Sequence, residues 1–361
     1  MPSVNQHLIA RRLGISQSTV AGALANQPRF RLETRKRVLA EASRLGYRPH
    51  RFAQVMRQGR SGFIGMIQCA GHMQLSAQRS QLVAREVHGN GYQLLSSDAF
   101  WFGDEEKTAC EVMIDACVEG VVLVSPTFSF DALRQAGIPV VALSGSRQPG
   151  APQVRANIRQ GMHDLTRHVI GLGRRRLALL TQWPLGPRDE AACYYVSERI
   201  EGFLEASRES GLGEGQAEVC IEDYSDPESN TYQVGKISMR KILERKRQPD
   251  AVLCSNDEWA TGALAACKEA GVRVPEDIAL TGFDNLLASG YGAVPLTTVA
   301  QPIEPMAKKA VEILLGQIRN GEGASPRKVI KMPCEVIVRH SCGSPRQEPD
   351  PITDPTRRMR S

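Results

Sequence analysis

Two hydrophobic rhythms divide the chain near residue 60. Before it, apolar positions fall three and four apart, as on helices; beyond it, short continuous apolar runs alternate with helical patterns. Asn5 is placed to cap a short helix through His7, Leu8, Ile9 and Ala10 to Leu13, and Gly14 supplies the left-handed turn that ends it. Ser16 then caps a second helix from Gln17 to about Ala25, with Val20 and Leu24 on one face. A third helix is expected around Glu33–Arg44, with Val38, Leu39, Ala42 and Leu45 inward and Gly46 as its stop. Helix, glycine turn and helix within about twenty residues is the helix-turn-helix arrangement, although a generic three-helix bundle gives the same pattern.

After Gly62 the apolar runs are FIGMI (63–67), YQLLS (92–96), GVVLV (120–124), VVAL (140–143), LALL (177–180), AVLC (251–254) and IALTGF (278–283). Helical patterns lie between them at Glu105–Val118, Gly161–Leu172, Glu198–Ser210 and Glu258–Ala270. Strands alternating with helices predict parallel sheets covered on both faces. The stretch is longer than one doubly wound unit needs, so two similar lobes are expected.

Charge sharpens the division. Residues 1–60 carry twelve basic side chains, opposed only by Glu33 and Glu41, a balance of +10. The whole chain is +6, so residues 61–361 sum to −4. Positive charge is concentrated where a polyanion would dock, and a disordered basic arm would account for charge alone equally well. Gln17 and Ser18, just past the Ser16 cap, are placed for base readout in the major groove; Arg29, Thr34 and Tyr47 read as phosphate-positioning groups.

Other chemistry is sparse. No G-x-x-x-x-G-K-[ST], H-E-x-x-H or G-x-S-x-G motif occurs. Asp257, Glu258 and Asp98 could be imagined as acid and base, but carboxylates at helix starts are usually caps, and no enzyme is expected. The seven histidines do not cluster with the nine cysteines, and no C-x-x-C pair occurs, so neither metal nor cofactor is expected. Free thiols in apolar patterns, no apolar run of about eighteen residues and no signal peptide predict a cytoplasmic protein.

The stretch IARRLGISQSTVAGALAN…LETRKRVLAEASRLGYRPHRFAQVMRQGRSGFIGMI resembles the amino-terminal module of the lactose-repressor/galactose-repressor (LacI/GalR) family. Ile9-Ala10, Gly14-Ile15-Ser16, Thr19-Val20, Thr34-Arg35, Gly46-Tyr47-Arg48-Pro49, Ala53 and Gly65 keep the family's spacing. A second signature, DAVLCSNDEWATGALAACKEAGVRVPEDIALTGFDN…PLTTVAQP from Asp250 to Pro302, is similar to the family's effector domain. The resemblance implies a small all-α helix-turn-helix domain (1–47), a hinge helix (48–60) and a two-lobed α/β periplasmic-binding-protein-like domain (61–340). The chain of that domain would cross between lobes three times. A disordered tail (341–361) would follow, with no leucine heptad to build a tetramer.

The resemblance also implies function: a dimeric regulator, expected to act as a repressor on a palindromic DNA operator, controlled by a small-molecule effector, expected to be a carbohydrate. The hinge helix would enter the minor groove with Ala53, Gln54 and Met56, Met56 standing where the family places a wedging leucine. Arg199 sits at the family's ligand-gripping arginine, with Asn256, Asp284 and Tyr224 as further effector contacts. Three departures are visible, one being Arg31, where relatives usually place a serine cap. Gly22 replaces a common arginine of the recognition helix, removing a guanine contact worth about 1–3 kcal/mol. The segment Cys69–Ser76 lacks the usual aspartate and aromatic rings, which leaves a modified sugar, a nucleobase-like compound or no effector as open alternatives.

Overall fold

The computed structural model describes residues 5–24, 27–47, 60–69, 74–99, 105–124, 130–144, 151–182, 194–222, 231–321 and 328–344. Two compact units divide the chain, Met1–Ser61 and Gly62–Ser361.

In the first unit, α1 (Gln6–Leu13), α2 (Gln17–Leu24) and α3 (Leu32–Arg44) share a core of Ile9, Ala10, Val20, Ala23, Val38 and Ala42. Asn5 accepts from the Leu8 N–H at 3.0 Å, and Gly14, at φ +65°, closes α1 as its pattern predicts. Ser16 Oγ accepts from the Thr19 N–H at 3.1 Å and so caps α2. Arg31 precedes α3 without any side-chain cap. Leu39, expected inward, is half exposed: it lies one residue round the helix from Val38, which takes the core position.

The second unit opens with β1 (Phe63–Cys69), α4 (Gln74–Gly89), β2 (Gln93–Ala99), α5 (Glu105–Asp115), β3 (Val121–Val124), α6 (Asp131–Gln135), β4 (Val140–Leu143) and β5 (Gln153–Ala156). It continues through α7 (Ile158–Gly171), β6 (Leu177–Gln182), α8 (Tyr194–Glu209), β7 (Ala217–Glu222), α9 (Thr231–Leu243), β8 (Ala251–Cys254), α10 (Asp257–Glu269), β9 (Ala279–Thr281) and β10 (Thr298–Ala300). The last elements are α11 (Ile303–Asn320), β11 (Val329–Met332) and β12 (Glu335–Ile337).

Among the described residues one sheet runs β11-β5-β4-β3-β1-β2 and another β7-β6-β8-β9, both parallel, with β10 and β12 as an antiparallel pair. Each is a doubly wound lobe. In the first, α4 and α11 contribute Val83, Val87, Met306 and Leu314 to one face, and α5 and α6 contribute Met113 and Leu133 to the other. In the second, α7 and α8 bring Leu165 and Phe203 to one face, and α9 and α10 bring Met239 and Trp259 to the other. The chain passes between lobes after β5, after β10 and after β11, the three crossings the family resemblance implied. No described helix is long and apolar enough to cross a membrane.

The chain stays packed past residue 340, a correction to the expected start of the tail. Ser341 and Cys342 are fully buried, because Ser341 Oγ donates to Leu280 O at 2.5 Å and accepts from the Thr297 N–H at 2.8 Å. Residues 345–361 lie outside the described residues.

Helices α9 and α10 meet through glycine. A Cβ at Gly262 would lie 2.0 Å from the Tyr232 carbonyl oxygen, and one at Gly235 2.3 Å from that of Trp259. Backbone on the opposing helix cannot turn aside as a side chain does, so Gly262→Ala must push the helices apart. The expected cost is about 1–3 kcal/mol or more, outweighing the roughly 1 kcal/mol that alanine gains in a helix. Denaturant titration of the full-length protein reads this as a lowered midpoint; an unchanged or raised midpoint refutes the interlock.

Candidate functional site

The DNA-facing candidates gather at the start of α2. Ser16, Gln17 and Ser18 are exposed, and Ser16 Oγ bonds the hydroxyls of Ser18 and Thr19 at 2.8 Å each, which holds the first turn rigid. Arg29 is exposed, whereas Thr34 is half-buried at the start of α3 and Tyr47 packs on the core. Glu41 accepts from Arg44 at 2.9 Å through both oxygens and from Arg12 at 3.4 Å. The Arg44 hydrogen bonds hold its carboxyl below the usual range.

Gly22 has a packing reason that the sequence did not disclose. It is buried, and a Cβ there would lie 2.1 Å from a ring carbon of Phe30. Phe30 occupies the volume over the helix, and the Arg29 guanidinium stacks on that ring, 4.9 Å from its centroid. Ala53, Gln54 and Met56 lie outside the described residues, as does Tyr224.

In the second unit the structure brings Arg199 and Asp284 together. Arg199 lies near the start of α8, buried, stacked 4.7 Å from the Phe283 ring centroid and donating to Tyr195 O at 3.2 Å. Its Nη2 stands 3.9 Å from Asp284 Oδ1, an ion pair too long for a hydrogen bond. Asp284 follows β9 at φ 110°, a conformation rare outside glycine, and is held there by its N–H donating to Val299 O at 2.8 Å. It is not the helix cap that a carboxylate at a strand end often is; that role belongs to Asn256, which accepts from the Trp259 N–H at 2.7 Å at the head of α10. With one lone pair of its oxygen so used, Asn256 still has its amide N–H groups and a second lone pair to offer a ligand.

Two residues of this cluster went unassigned in the sequence. Gln301, at the crossing after β10, donates to Asp284 Oδ1 at 2.6 Å and accepts from Arg79 Nη2 at 2.8 Å. Arg79 belongs to α4 in the other lobe, so the chain Arg79–Gln301–Asp284 ties the lobes together. Its signal was present: Leu75, Arg79, Val83 and Val87 recur every four residues, and all four are buried, so an arginine interrupts an apolar stripe. Beside it, Gln74 donates through its side chain to the Tyr232 hydroxyl at 2.7 Å and through its backbone to Glu258 at 3.4 Å, both across the cleft.

Burial pushes the Asp284 carboxyl up to about 7, Arg199 and Arg79 only partly opposing it. A carboxyl raised on folding takes up a proton between its ordinary range and that value, so its ionisation costs stability as pH rises towards 7. Asp257 is structural: it accepts from Thr298 Oγ1 at 2.6 Å and the Leu286 N–H at 2.7 Å, so both oxygens are engaged. Glu258 is likewise engaged, by Thr231 at 2.6 Å.

Comparison with known proteins follows the same lines. Residues 166–342 match the family model described as a periplasmic binding protein-like domain. The regulator MalR of Streptomyces coelicolor, named as a helix-turn-helix-type transcriptional regulator, is 30% identical over 93% of this chain and 96% of its own. The chain belongs to the LacI/GalR family. The repressor CytR of Escherichia coli K12 is 27% identical over 92% of this chain and 94% of its own. A crystal structure of the Lac repressor dimer bound to operator and the anti-inducer ONPF superposes with a TM-score of 0.79 at 24% identity, covering 94% of this chain and 99% of that one. A DNA-binding transcriptional regulator of this family, built as helical unit plus two-lobed body, accounts for both clusters; the relatives are named as regulators and repressors rather than enzymes.

Proposed function

We propose that this LacI/GalR-family regulator is a cytoplasmic repressor that binds a palindromic operator as a homodimer, and that a small molecule gripped by Arg199, Asp284 and Asn256 sets its operator affinity. The observation that carries the reading is the capped, exposed start of α2 in a unit of charge +10, on a chain whose body pairs Arg199 with Asp284 across buried surface. One helix-turn-helix contacts too few base pairs for genomic discrimination, and two-fold pairing doubles the readout. Residues 48–60, between the two units, serve as the hinge that carries the state of the body to the operator. Selection of bound sites from random DNA tests the whole: two-fold symmetric sites are expected, and asymmetric sites refute the dimer. Light scattering is expected to give a dimer, matching the two-fold operator; a stable tetramer refutes this.

Met56 carries the hinge prediction. An apolar wedge between base steps bends the duplex and gains contact on the specific site. Met56→Ala is expected to lose about 1–3 kcal/mol of specific affinity, while salt-sensitive binding to random DNA, carried by untouched arginines, stays constant. Equal loss on both DNAs removes Met56 from the wedge position.

A further inference from the structure

The outer face of α2 is covered at a place where a side chain would project towards DNA. At about 100° per residue, Gly22 stands about 160° round the helix from Val20 and about 40° from Ser18. Val20 fills the core of the unit, so Gly22 belongs with Ser18 on the face turned away from that core. Ser18 is exposed, as that face should be, yet Gly22 is buried. The atoms nearest the place of its missing Cβ all belong to the Phe30 ring, at 2.1, 2.6 and 2.9 Å. Phe30 is not among the apolar residues packed on the core; its ring lies on the outer face of α2 instead. The Arg29 guanidinium rests over that ring, 4.9 Å from its centroid, and Arg29 is exposed.

The backbone fixes this arrangement. Gln27-Pro28-Arg29-Phe30 is a β-turn in which the Phe30 N–H donates to Gln27 O at 3.2 Å, with Pro28 at the second position, where its restricted φ is suited. The Gln27 N–H donates to Gly22 O at 3.1 Å and ties the turn back to α2. Arg29 is thus presented by a constrained turn, over a ring seated in space that only glycine leaves. A phosphate contact asks for positive charge nearby, and a flexible side chain supplies it. A base edge asks for more, because guanine is read through two parallel hydrogen bonds to O6 and N7, which need a guanidinium held in one orientation. Support by a ring and a proline turn serves the second task.

Resting on the operator-binding reading above, we infer that Arg29 reads a guanine in each half-site and that Phe30 is the residue that positions it. The turn after α2 thereby supplies the base contact that Gly22 has given up. The arginine comes from beyond the end of the helix and reaches the helix's outer face over an aromatic support. Gly22 and Phe30 belong together, since any larger residue at 22 displaces the ring. Gln17 and Ser18 at the head of α2 read neighbouring bases, and Arg29 sets the operator's guanine.

The test is selection of bound sites from random DNA by the full-length protein, then affinity measurement on the selected operator with each base pair replaced in turn. Wild type is expected to prefer guanine at one position of each half-site by on the order of ten- to a hundredfold. Arg29→Ala is expected to abolish that preference and to leave those at the other positions in place. Phe30→Leu keeps every charge, so affinity for random DNA should match wild type, while the same guanine preference falls several-fold. With Arg29→Ala already in place, Phe30→Leu should cost that position nothing further, because Phe30 acts through Arg29. A merely structural Phe30 lowers binding to all operators alike in both backgrounds, which overturns its positioning role. Resistance to limited proteolysis checks that each variant folds; should Phe30→Leu fail, Phe30→Met, which keeps volume without a ring, takes its place. A loss in Arg29→Ala that is uniform across every base replacement makes Arg29 a phosphate contact and overturns the inference, as does a wild-type operator without an Arg29-dependent guanine. Wild type that selects no sequence at all refutes operator binding itself, the reading on which the inference rests.

Discussion

Arg199→Ala is expected to abolish the effector's influence on operator binding while leaving ligand-free operator affinity unchanged. Arg199 belongs to the Gly62–Ser361 unit and the residues proposed to read the operator to the other, so it is expected to act on DNA through the conformational equilibrium of the body. A ligand moves that equilibrium only by its different affinities for the two states. Removing the guanidinium removes the buried partner that stands 3.9 Å from Asp284. Asp284 keeps Gln301 and, through it, Arg79, so the lobes remain tied. Loss of two hydrogen bonds from the charged guanidinium to the ligand, each worth about 1.5–3 kcal/mol, matches or exceeds the 1–3 kcal/mol typical of allosteric coupling. Operator binding measured with and without the ligand, in wild type and variant, decides the matter. A ligand that still shifts DNA affinity in Arg199→Ala binds elsewhere; an altered ligand-free affinity places Arg199 in the switch itself.

What the sequence disclosed follows from where side-chain pattern and environment agree. Asn5, Gly14 and Ser16 announce helix ends through chemistry local to a few residues, and all three stand as caps or turns. Strands β3, β4 and β8 read as apolar runs because every residue in them is buried. Strand β5 did not, because it buries Gln153 and Arg155 beside Val154 and Ala156, and polar residues in the interior break the apolar signal. Arg79 escaped for the same reason: an arginine on a helix ordinarily marks the solvent face, and only the four-residue stripe around it shows otherwise. The pairing of Arg199 with Asp284 could be drawn from family likeness but not from spacing, since the two come from α8 and the turn after β9. The glycine contacts of α9 and α10 depend on which helices are neighbours, which no local pattern states.

Gly22→Arg separates the two kinds of reading most sharply. Judged by relatives, restoring an arginine to the recognition helix gains a guanine contact of about 1–3 kcal/mol and removes a glycine that costs the helix about 1 kcal/mol. The structure argues the opposite outcome. Any side chain at position 22 meets the Phe30 ring at 2.1 Å, so the ring must leave its place over α2, and the Arg29 guanidinium stacked on it moves as well. Overpacking of this kind costs about 1–3 kcal/mol, and a unit of some sixty residues has little stability in reserve. Gly22→Arg is therefore expected to weaken operator binding and to make the first unit more susceptible to limited proteolysis. Shortening the opposing side chain should relieve both: Gly22→Arg with Phe30→Val is expected to recover protease resistance, a coupling that a double-mutant cycle measures directly. If the single variant binds DNA more tightly with its protease resistance intact, Phe30 yields at no cost, and the glycine is no more than the loss of a base contact.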